Sequence, residues 1–125
     1  MILGTGIDLA EVDRIRHSVE RFGDRFVGRI YTGREIAYVE RKANRFERYA
    51  ARFAAKEAGM KALGTGWRRG IQWKDFEVVN LPSGRPTLLL HGEAEKIAAQ
   101  LGVKNVQLSL THTSKDGLAY VIFED

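Results

Sequence analysis

The sequence predicts an α+β fold in which antiparallel strands pack against one long central helix. Alternating apolar and polar residues occur near both ends of the chain, and a helix-forming run of about twenty residues lies between them. Turn signals separate neighbouring strands in the second half. With 125 residues, the chain is expected to form one domain, 1–125, with a core of its own.

The first half of the chain predicts one strand followed by helices. Thr32, followed three residues later by Glu35, is a capping box that marks the start of a helix. Asn44 is a candidate cap for the long helix, and Gly64 marks its end. The predicted elements are a strand over 2–9, a helix over 11–22, a helical turn over 26–30, a helix over 32–42 and the long helix over 44–63.

The second half predicts two hairpins joined by a short helix. Leu81-Pro82-Ser83-Gly84 and Lys115-Asp116-Gly117 are turn signals between pairs of strands. In the third strand of this half, Val106, Leu108 and Leu110 alternate with polar residues and are expected to face the core. The predicted elements are strands over 73–79 and 86–91, a helix over 92–102, and strands over 103–113 and 118–123.

The composition excludes several classes of protein. The chain has no cysteine, so disulfides and thiolate metal sites are excluded. No signal peptide or membrane span is expected, since the N-terminus lacks a basic region and Asp8 interrupts its apolar run. These features favour a cytoplasmic location. The motifs of serine hydrolases and zinc proteases are missing from the sequence.

Positive charge is concentrated in one part of the chain. The formal net charge is +4, and the segment 11–52, which holds ten of the thirteen arginines, carries all of this excess. One interpretation is a solvated surface with many ion pairs. The other is a docking face for an acidic protein or a nucleic acid.

Charged residues interrupt the small, apolar residues of the long helix. Phe53, Glu57 and Lys61 lie in one row along the helix, and Arg52 and Lys56 lie in the next. Buried charges require partners, so this helix is suited to hold a metal ion and a polyphosphate. An ordinary ion pair between Glu57 and Lys61 explains the spacing about equally well.

A second isolated carboxylate, Asp8, lies within the apolar first strand. It is a candidate N-cap or arginine partner. Together with Glu57 it is also a candidate ligand pair for Mg²⁺, which proteins often hold with one or two carboxylates plus phosphates and waters.

A polar cluster, Ser109-Leu110-Thr111-His112-Thr113, ends an alternating strand and offers phosphate or base contacts. A structural role for His112 is the alternative, and His17 and His91 are expected on the surface. Gly64-Thr65-Gly66 allows backbone N–H groups to approach a phosphate but lacks the Walker spacing.

Three motifs in order resemble the 4′-phosphopantetheinyl transferase family. Gly6-Ile7-Asp8-Leu9-Ala10-Glu11-Val12-Asp13-Arg14-Ile15 resembles its first signature, and 52–58 with 61–66 resembles its second. Ser109 to Thr113 is similar to a strand of the short, single-domain branch, and Gly84-Arg85-Pro86 to one of its turns. The match spans nearly the whole chain.

The resemblance implies a reaction that composition does not show. Such an enzyme moves 4′-phosphopantetheine from coenzyme A to a serine of an apo acyl carrier protein and releases adenosine 3′,5′-bisphosphate, for fatty acid biosynthesis. Asp8 and Glu57 match the family's Mg²⁺ ligands, and Lys61 matches the lysine that contacts the reacting phosphate. The serine proton passes to Glu57 or to a metal-bound hydroxide, and the sequence leaves both open.

The resemblance also implies binding residues and assembly. It predicts a homotrimer with active sites between subunits, no membrane and no nucleic acid as partners. The residues that match coenzyme A contacts are Arg52, Lys56, Gly64, Thr111 and His112, and those that match carrier-protein docking are Arg14, Arg25, Phe26 and Arg29.

Two features depart from the family pattern. Gly59-Met60 stands where an aromatic residue often precedes the lysine, and Trp67-Arg68-Arg69 adds basic character after the glycines. The alternative function is a noncatalytic binding module that uses the arginine-rich segment and its interleaved aromatic residues for RNA or an acidic protein.

Overall fold

Two antiparallel sheets and five α-helices form the protein in a computed structural model that describes residues 1–67 and 70–125. The helices are α1 (Val12–Phe22), α2 (Asp24–Ile30), α3 (Gly33–Glu40), α4 (Arg45–Leu63) and α5 (Gly92–Leu101). The strands are β1 (Ile2–Glu11), β2 (Phe76–Asn80), β3 (Pro86–Leu90), β4 (Asn105–His112) and β5 (Asp116–Glu124). The three-stranded sheet has the order β1-β5-β4, and β2 pairs with β3. The predicted α+β class, with strands against a long helix, is confirmed.

The three-stranded sheet lies directly against α4, and glycines make this close approach possible. A Cβ on Gly4 would overlap the carbonyl oxygen of Ala62, and one on Gly6 would overlap that of Ala58. Since these glycines face the helix, the next residue on the same face of β1 is Asp8. The packing of β1 therefore determines which part of α4 lies beside Asp8.

The core surrounds α4, which contributes more buried residues than any other element named above. Its alanines pack under the sheet, while Tyr49 lies against Tyr31 with ring centroids 4.6 Å apart. Gly59 is also explained by packing, because a Cβ there would lie 2.8 Å from the Phe76 ring. The inward-facing residues predicted for β4 are confirmed in pattern, with Leu108 buried and its neighbours Gln107 and Ser109 more exposed.

The helix starts were predicted with mixed success. The capping box is present, since Thr32 Oγ1 accepts a hydrogen bond from Glu35 N and Glu35 Oε1 accepts one from Thr32 N. Asn44 precedes α4 but does not cap it, because its Oδ1 accepts a hydrogen bond from Arg48 Nε. Gly64 ends α4 with φ of 77°, as the sequence predicted.

Several predicted boundaries are wrong by a few residues. The strand expected from Trp73 begins only at Phe76, because Trp73–Asp75 forms a short 3₁₀ turn in which Asp75 Oδ2 accepts a hydrogen bond from Gln72 N. The helical turn expected over 26–30 is a helix that begins at Asp24. Arg68 and Arg69 of the predicted loop lie outside the described residues. None of the helices in the described part combines the length and the apolar character needed to span a membrane.

Candidate active site

The structure brings Asp8 and Lys61 together at the junction of β1 and α4. Lys61 Nζ lies 3.3 Å from Asp8 Oδ2 and donates a hydrogen bond to the carbonyl oxygen of Ile7 at 3.1 Å. The Asp8 side chain is 17% exposed, whereas that of Lys61 is 58% exposed. The lysine is therefore anchored near the strand while its ammonium group remains open to solvent.

Glu57 lies one helical turn before Lys61 and is half-buried. Burial raises the pKa of the Glu57 carboxyl above its ordinary value, and the nearby charge of Asp8 raises it further. The cations Lys61 and Arg14 partly offset these effects. Because the negative charge of Asp8 opposes ionisation of Glu57, a cation bound beside both carboxylates would be favourable.

The carboxylates Asp8 and Glu57 are suited to a hard cation that also binds the substrate of the protein. Among residues 1–67 and 70–125, no cluster of three or more His, Cys, Asp or Glu side chains surrounds a common metal position. Asp8 and Glu57 are therefore two carboxylate ligands without a third beside them in the described residues, which leaves positions for phosphate and water. This fits Mg²⁺, which is rarely enclosed by protein alone.

An apolar groove edged by arginines adjoins Glu57. The cavity beside Glu57 has a volume of about 130 Å³ and is lined in part by Arg14, Phe26 and Phe53. Phe26 and Phe53 also line a groove of about 680 Å³, so these two rings are shared by both cavities. The remaining residues of this groove are Phe22, Arg25, Arg29, Ile30 and Trp73. The four residues predicted to dock a carrier protein thus line these two neighbouring cavities.

A second pocket lies on the other side of α4. It has a volume of about 270 Å³ and contains the predicted ligand contacts Arg52 and His112. Arg52 is only 4% exposed, and burial lowers the pKa of its guanidinium. Its Nη2 donates to Asn80 Oδ1 at 3.3 Å, while its Nε has no hydrogen-bond partner among the described residues. A buried guanidinium with a free N–H is suited to receive an anion.

His112 is held at the edge of this pocket by α4. Its Nδ1 lies 3.0 Å from Glu47 Oε2, a contact that has the distance of an ion pair but not the alignment of a hydrogen bond. Thr111, the next residue back along β4, is exposed and lies opposite Leu118 on the outer face of the sheet. The structure therefore separates these two predicted contacts onto opposite faces of β4.

The two pockets occupy opposite flanks of α4. Arg52 and Lys61 are nine positions apart, and at about 100° per residue this spacing is close to half a turn beyond two full turns. We call the side that carries Asp8, Glu57 and Lys61 the carboxylate flank, and the side that carries Arg52 and His112 the arginine flank. The body of the helix and the sheet separates them within one chain.

Comparison with known proteins identifies the family. The model of the 4′-phosphopantetheinyl transferase superfamily matches residues 4–119 of the chain. The chain belongs to this superfamily. The family resemblance predicted from the three sequence motifs is thereby confirmed.

Individual members of the superfamily are similar over the full length. The holo-[acyl-carrier-protein] synthase of Solibacter usitatus is 70% identical over 125 residues, which cover 100% of both chains. The crystal structure of holo-[acyl-carrier-protein] synthase from Neisseria meningitidis matches with a TM-score of 0.90 at 32% identity and 100% coverage of both chains. The Helicobacter pylori holo-[acyl-carrier-protein] synthase, solved in complex with coenzyme A, matches with a TM-score of 0.83 at 27% identity, covering 96% of this chain and 99% of that one.

Lys56 does not occupy the position that the phosphopantetheinyl transferase resemblance implied. Its side chain is 0% exposed, and its Nζ donates to Glu35 Oε1 at 2.8 Å and to the carbonyl oxygen of Phe76. Glu35 also accepts a hydrogen bond from Val78 N at 3.0 Å. The expected contact between Lys56 and coenzyme A is corrected to a structural role, in which the lysine ties α3 and β2 to α4.

Other predicted residues have clear positions. Gly64 is exposed at the end of α4, within one turn of Lys61, so its backbone borders the carboxylate flank. His17 is exposed, as expected. His91 is 47% exposed, and its Nε2 lies 3.0 Å from Glu77 Oε1.

Sequence reasoning missed three residues of the arginine-flank pocket. Tyr38, Arg48 and Asn80 line it together with Arg52. They come from α3, α4 and β2, and no spacing in the sequence relates them. Only the position of Asn80 shortly before Gly84-Arg85-Pro86, a turn that the resemblance included, offered a signal.

Proposed function

We propose that this chain is a Mg²⁺-dependent phosphopantetheinyl transferase whose carboxylate flank carries out the transfer. The reaction is the transfer of 4′-phosphopantetheine from coenzyme A to a serine of apo acyl carrier protein, as expected for a member of the superfamily with a 70%-identical holo-[acyl-carrier-protein] synthase. The observation that carries the proposal is the convergence of Asp8, Glu57 and Lys61 beside an arginine-edged groove. A noncatalytic binding module has no use for that convergence.

Phosphoryl transfer requires charge neutralisation and positioning more than covalent chemistry. Asp8 and Glu57 would hold Mg²⁺, and the bound ion would neutralise charge on the pyrophosphate of coenzyme A. The exposed Nζ of Lys61 lies 3.3 Å from Asp8 Oδ2 and supplies a further positive charge at the reacting phosphate. The three side chains thus stabilise negative charge where it develops.

The bond changes follow from the substrates. The serine oxygen of the carrier protein forms a bond to the phosphorus that bears pantetheine. The bond from this phosphorus to the bridging oxygen breaks, and adenosine 3′,5′-bisphosphate leaves with that oxygen. The serine proton passes to a base, and the Glu57 carboxylate, which lines the cavity next to the groove, is the candidate among the side chains of this site.

The groove beside Glu57 is suited to an acidic carrier protein. Its apolar floor contains Phe26 and Phe53, and Arg25 and Arg29 lie on its lining. Apolar contact provides affinity, while the arginines orient an acidic partner and accelerate association. Because the groove shares Phe26 and Phe53 with the cavity of Glu57, a carrier protein docked in the groove lies next to the carboxylates.

A complete site requires two copies of the chain. The pyrophosphate end of coenzyme A belongs to the carboxylate flank and the anion-binding pocket belongs to the arginine flank, yet the body of one chain separates them. A neighbour that contributes its arginine flank completes the site. This contact joins the carboxylate flank of one copy to the arginine flank of the next. When the same contact is repeated around a rotation axis, the copies form a closed ring. The homotrimer implied by the resemblance is such a ring.

The outer face of the three-stranded sheet supports this assembly. Ile7, Leu9 and Tyr120 are 54%, 56% and 41% exposed on that face. Ile7 and Tyr120 are paired in the register of β1 and β5, so they form a contiguous apolar patch. Apolar patches of this kind mark protein interfaces. Thr111 lies on the same face, where a neighbouring subunit would enclose it together with a ligand.

The test is incubation with coenzyme A, Mg²⁺ and apo acyl carrier protein, followed by the intact mass of the carrier. We expect the mass of 4′-phosphopantetheine to be added by the wild type and by the surface control Arg41→Gln. We expect Asp8→Ala and Glu57→Gln to lose transfer while keeping the wild-type unfolding midpoint and carrier binding. Mg²⁺-dependent transfer retained by both variants contradicts the metal assignment, and no transfer by the wild type contradicts the function.

A further inference from the structure

The β2–β3 hairpin forms one wall of the pocket on the arginine flank, although it belongs to a different sheet from β4. Gly84 and Pro86, at the tip of the hairpin, line that pocket together with residues of α4 and β4. Within residues 1–67 and 70–125, the strand ladders pair β2 with β3 and β4 with β5, but not β3 with β4. Side chains, rather than a backbone ladder, therefore hold the tip of the hairpin beside β4.

The turn at the tip of the hairpin is closed by its own backbone. The Leu81 N–H donates to the carbonyl oxygen of Arg85 at 2.8 Å, and the Gly84 N–H donates to that of Leu81 at 2.8 Å. Gly84 has a φ of 89°, in the left-handed region that glycine adopts most readily. Because these bonds hold residues 81–85 in one conformation, a contact made by one residue of the turn also places the others.

Two side-chain bridges attach this turn to the rest of the molecule. On the inner side, Asn80 Nδ2 donates to the carbonyl oxygen of Gly84 at 3.0 Å, and Asn80 Oδ1 accepts from Arg52 at 3.3 Å. On the outer side, Arg85 Nη2 donates to Gln107 Oε1 on β4 at 2.8 Å. The first bridge belongs to the pocket already described. The second lies outside it, since the described residues that line the pocket include neither Arg85 nor Gln107.

Gln107 is itself held in place by the three-stranded sheet. Its Nε2 donates to Glu124 Oε1 on β5 at 3.3 Å. Gln107, Ser109 and Thr111 alternate along β4, so they share the outer face of the sheet. The contact from Arg85 to Gln107 therefore connects the hairpin to the sheet face that we propose as the contact between copies.

We propose that Arg85 is a positioning residue for bound coenzyme A, because its hydrogen bond to Gln107 holds the hairpin tip at the pocket. The Arg85 guanidinium lies outside the pocket, so it acts through the backbone of the turn and not by contact with ligand. The inference rests on the proposed function, since it assumes that part of coenzyme A occupies the arginine flank. Without the hydrogen bond, Gly84 and Pro86 are less restricted, and ordering them on binding lowers the affinity.

The direct experiment measures the transfer kinetics of Arg85→Gln and Gln107→Leu. We expect each variant to raise the KM for coenzyme A roughly threefold to tenfold, the loss of one hydrogen bond. The kcat and the KM for the carrier protein should stay within about twofold of the wild type, because the carboxylate flank and its groove are unchanged. Arg85→Lys keeps a charged donor and should raise the KM less than Arg85→Gln. A fall in kcat as large as the rise in KM would contradict the inference.

The double variant tests whether the two residues act through one contact. If they do, Arg85→Gln combined with Gln107→Leu raises the KM for coenzyme A no more than the more severe single variant, because either change already breaks the hydrogen bond. If Arg85 contacts the ligand itself, Arg85→Gln raises the KM while Gln107→Leu leaves it unchanged, and the inference is wrong. Effects that multiply in the double variant would contradict it as well.

The matched control is Lys96→Gln, which also removes one exposed positive charge. Lys96 lies on α5, where its Nζ is 3.6 Å from Glu93 Oε1, and it is not among the described residues that line the pocket. Its KM for coenzyme A should remain that of the wild type. A rise equal to that of Arg85→Gln would show that net charge, and not the hairpin, determines the affinity.

A binding experiment separates this inference from the transfer reaction. Calorimetric titration with adenosine 3′,5′-bisphosphate requires no carrier protein and no catalysis. We expect Arg85→Gln and Gln107→Leu to bind this nucleotide roughly threefold to tenfold more weakly than the wild type. The inference is wrong if both variants bind it with the wild-type affinity. Failure of the proposed function appears instead as a wild type that binds nucleotide but transfers nothing.

Discussion

Two lysines five positions apart on α4 have opposite surroundings. The Lys56 side chain is 0% exposed and is paired with Glu35, whereas the Lys61 side chain is 58% exposed beside Asp8. Both follow apolar residues in a segment that the sequence predicts as one continuous helix. The difference arises from the direction in which each side chain leaves the helix, toward α3 and β2 or toward the end of β1.

This contrast divides α4 into a part that stabilises the fold and a part to which we assign the chemistry. The Lys56–Glu35 pair is fully satisfied within the protein, since Glu35 accepts from Lys56 Nζ, Thr32 N and Val78 N. The carboxylate flank is incomplete by comparison, with charges that interact but leave sites for ligand. A substitution should therefore affect stability on one side and activity on the other.

The largest effect on stability is expected from Lys56→Met. The substitution leaves the Glu35 carboxylate in the core without its cation, and breaking a buried pair in this way costs about 3–5 kcal/mol. Urea denaturation at pH 7 measures the loss of unfolding free energy. Adding Glu35→Leu removes the uncompensated charge and should recover part of the loss. A loss below about 1 kcal/mol in Lys56→Met would show that the pair is not needed for folding.

The next effect is the reverse, a loss of activity without a loss of stability. Lys61→Met should lower kcat by roughly a hundredfold to a thousandfold, because it removes a preorganised charge from the reacting phosphate. Its unfolding free energy should remain within about 0.5 kcal/mol of the wild type, as the side chain is largely exposed. Initial rates of carrier modification measure the loss of kcat, and urea denaturation measures the unfolding free energy. Wild-type activity in Lys61→Met would remove the lysine from the mechanism.

A smaller effect on stability concerns Glu77, which is buried in the same region as Glu35. The hydrogen bond from Arg34 is the largest cause that lowers the pKa of Glu77 to about 2. Stability from this group is complete above its ordinary pKa and is lost as the pH falls toward about 2. Between pH 5 and pH 2 the wild type should lose about 2 kcal/mol more than Glu77→Gln in urea denaturation. If the unfolding free energies of the wild type and Glu77→Gln had the same pH dependence, the stabilising role of ionised Glu77 would be contradicted.

The smallest effect is expected at the groove beside Glu57. Arg14→Ala and Arg25→Ala should each weaken carrier binding by about 1 kcal/mol at low salt, with the difference shrinking as salt screens the charges. The KM for the carrier as a function of ionic strength measures this, with Arg41→Ala as the control. If only the KM for coenzyme A changed, the arginines would belong to the nucleotide site.

Much of the fold was accessible from sequence because its signals are local. The capping box of Thr32 and Glu35, the glycine at the end of α4 and the turns of both hairpins depend on neighbours within a few residues. The second role of Glu35, as the partner of Lys56, depends on a contact across 21 positions. The local sequence pattern indicates only the capping role of Glu35 and gives no sign of its pairing with Lys56.

Prediction of the site was limited in the same way, because contacts between distant parts of the chain leave no local signal. Asp8, Glu57 and Lys61 were predicted because family motifs contain them, and Lys56 was misassigned because the same motif contains it. Tyr38 and Asn80 belong to no motif and meet Arg52 only after α3 and β2 have packed around α4. Helical periodicity places the two flanks on opposite sides of α4. Our proposal that they are two halves of one site depends on the folded sheet and helix that lie between them.

The most direct test of the account is complementation between two inactive variants. Asp8→Ala lacks the carboxylate flank and Arg52→Ala lacks the arginine flank, so each should transfer little alone. Mixed oligomers, isolated after co-expression with two different tags, contain interfaces in which Asp8 of one copy meets Arg52 of another. We predict carrier modification at about a third of the wild-type rate, because each mixed trimer contains one intact interface among its three. Mixed oligomers no more active than the separate variants would contradict a site shared between copies.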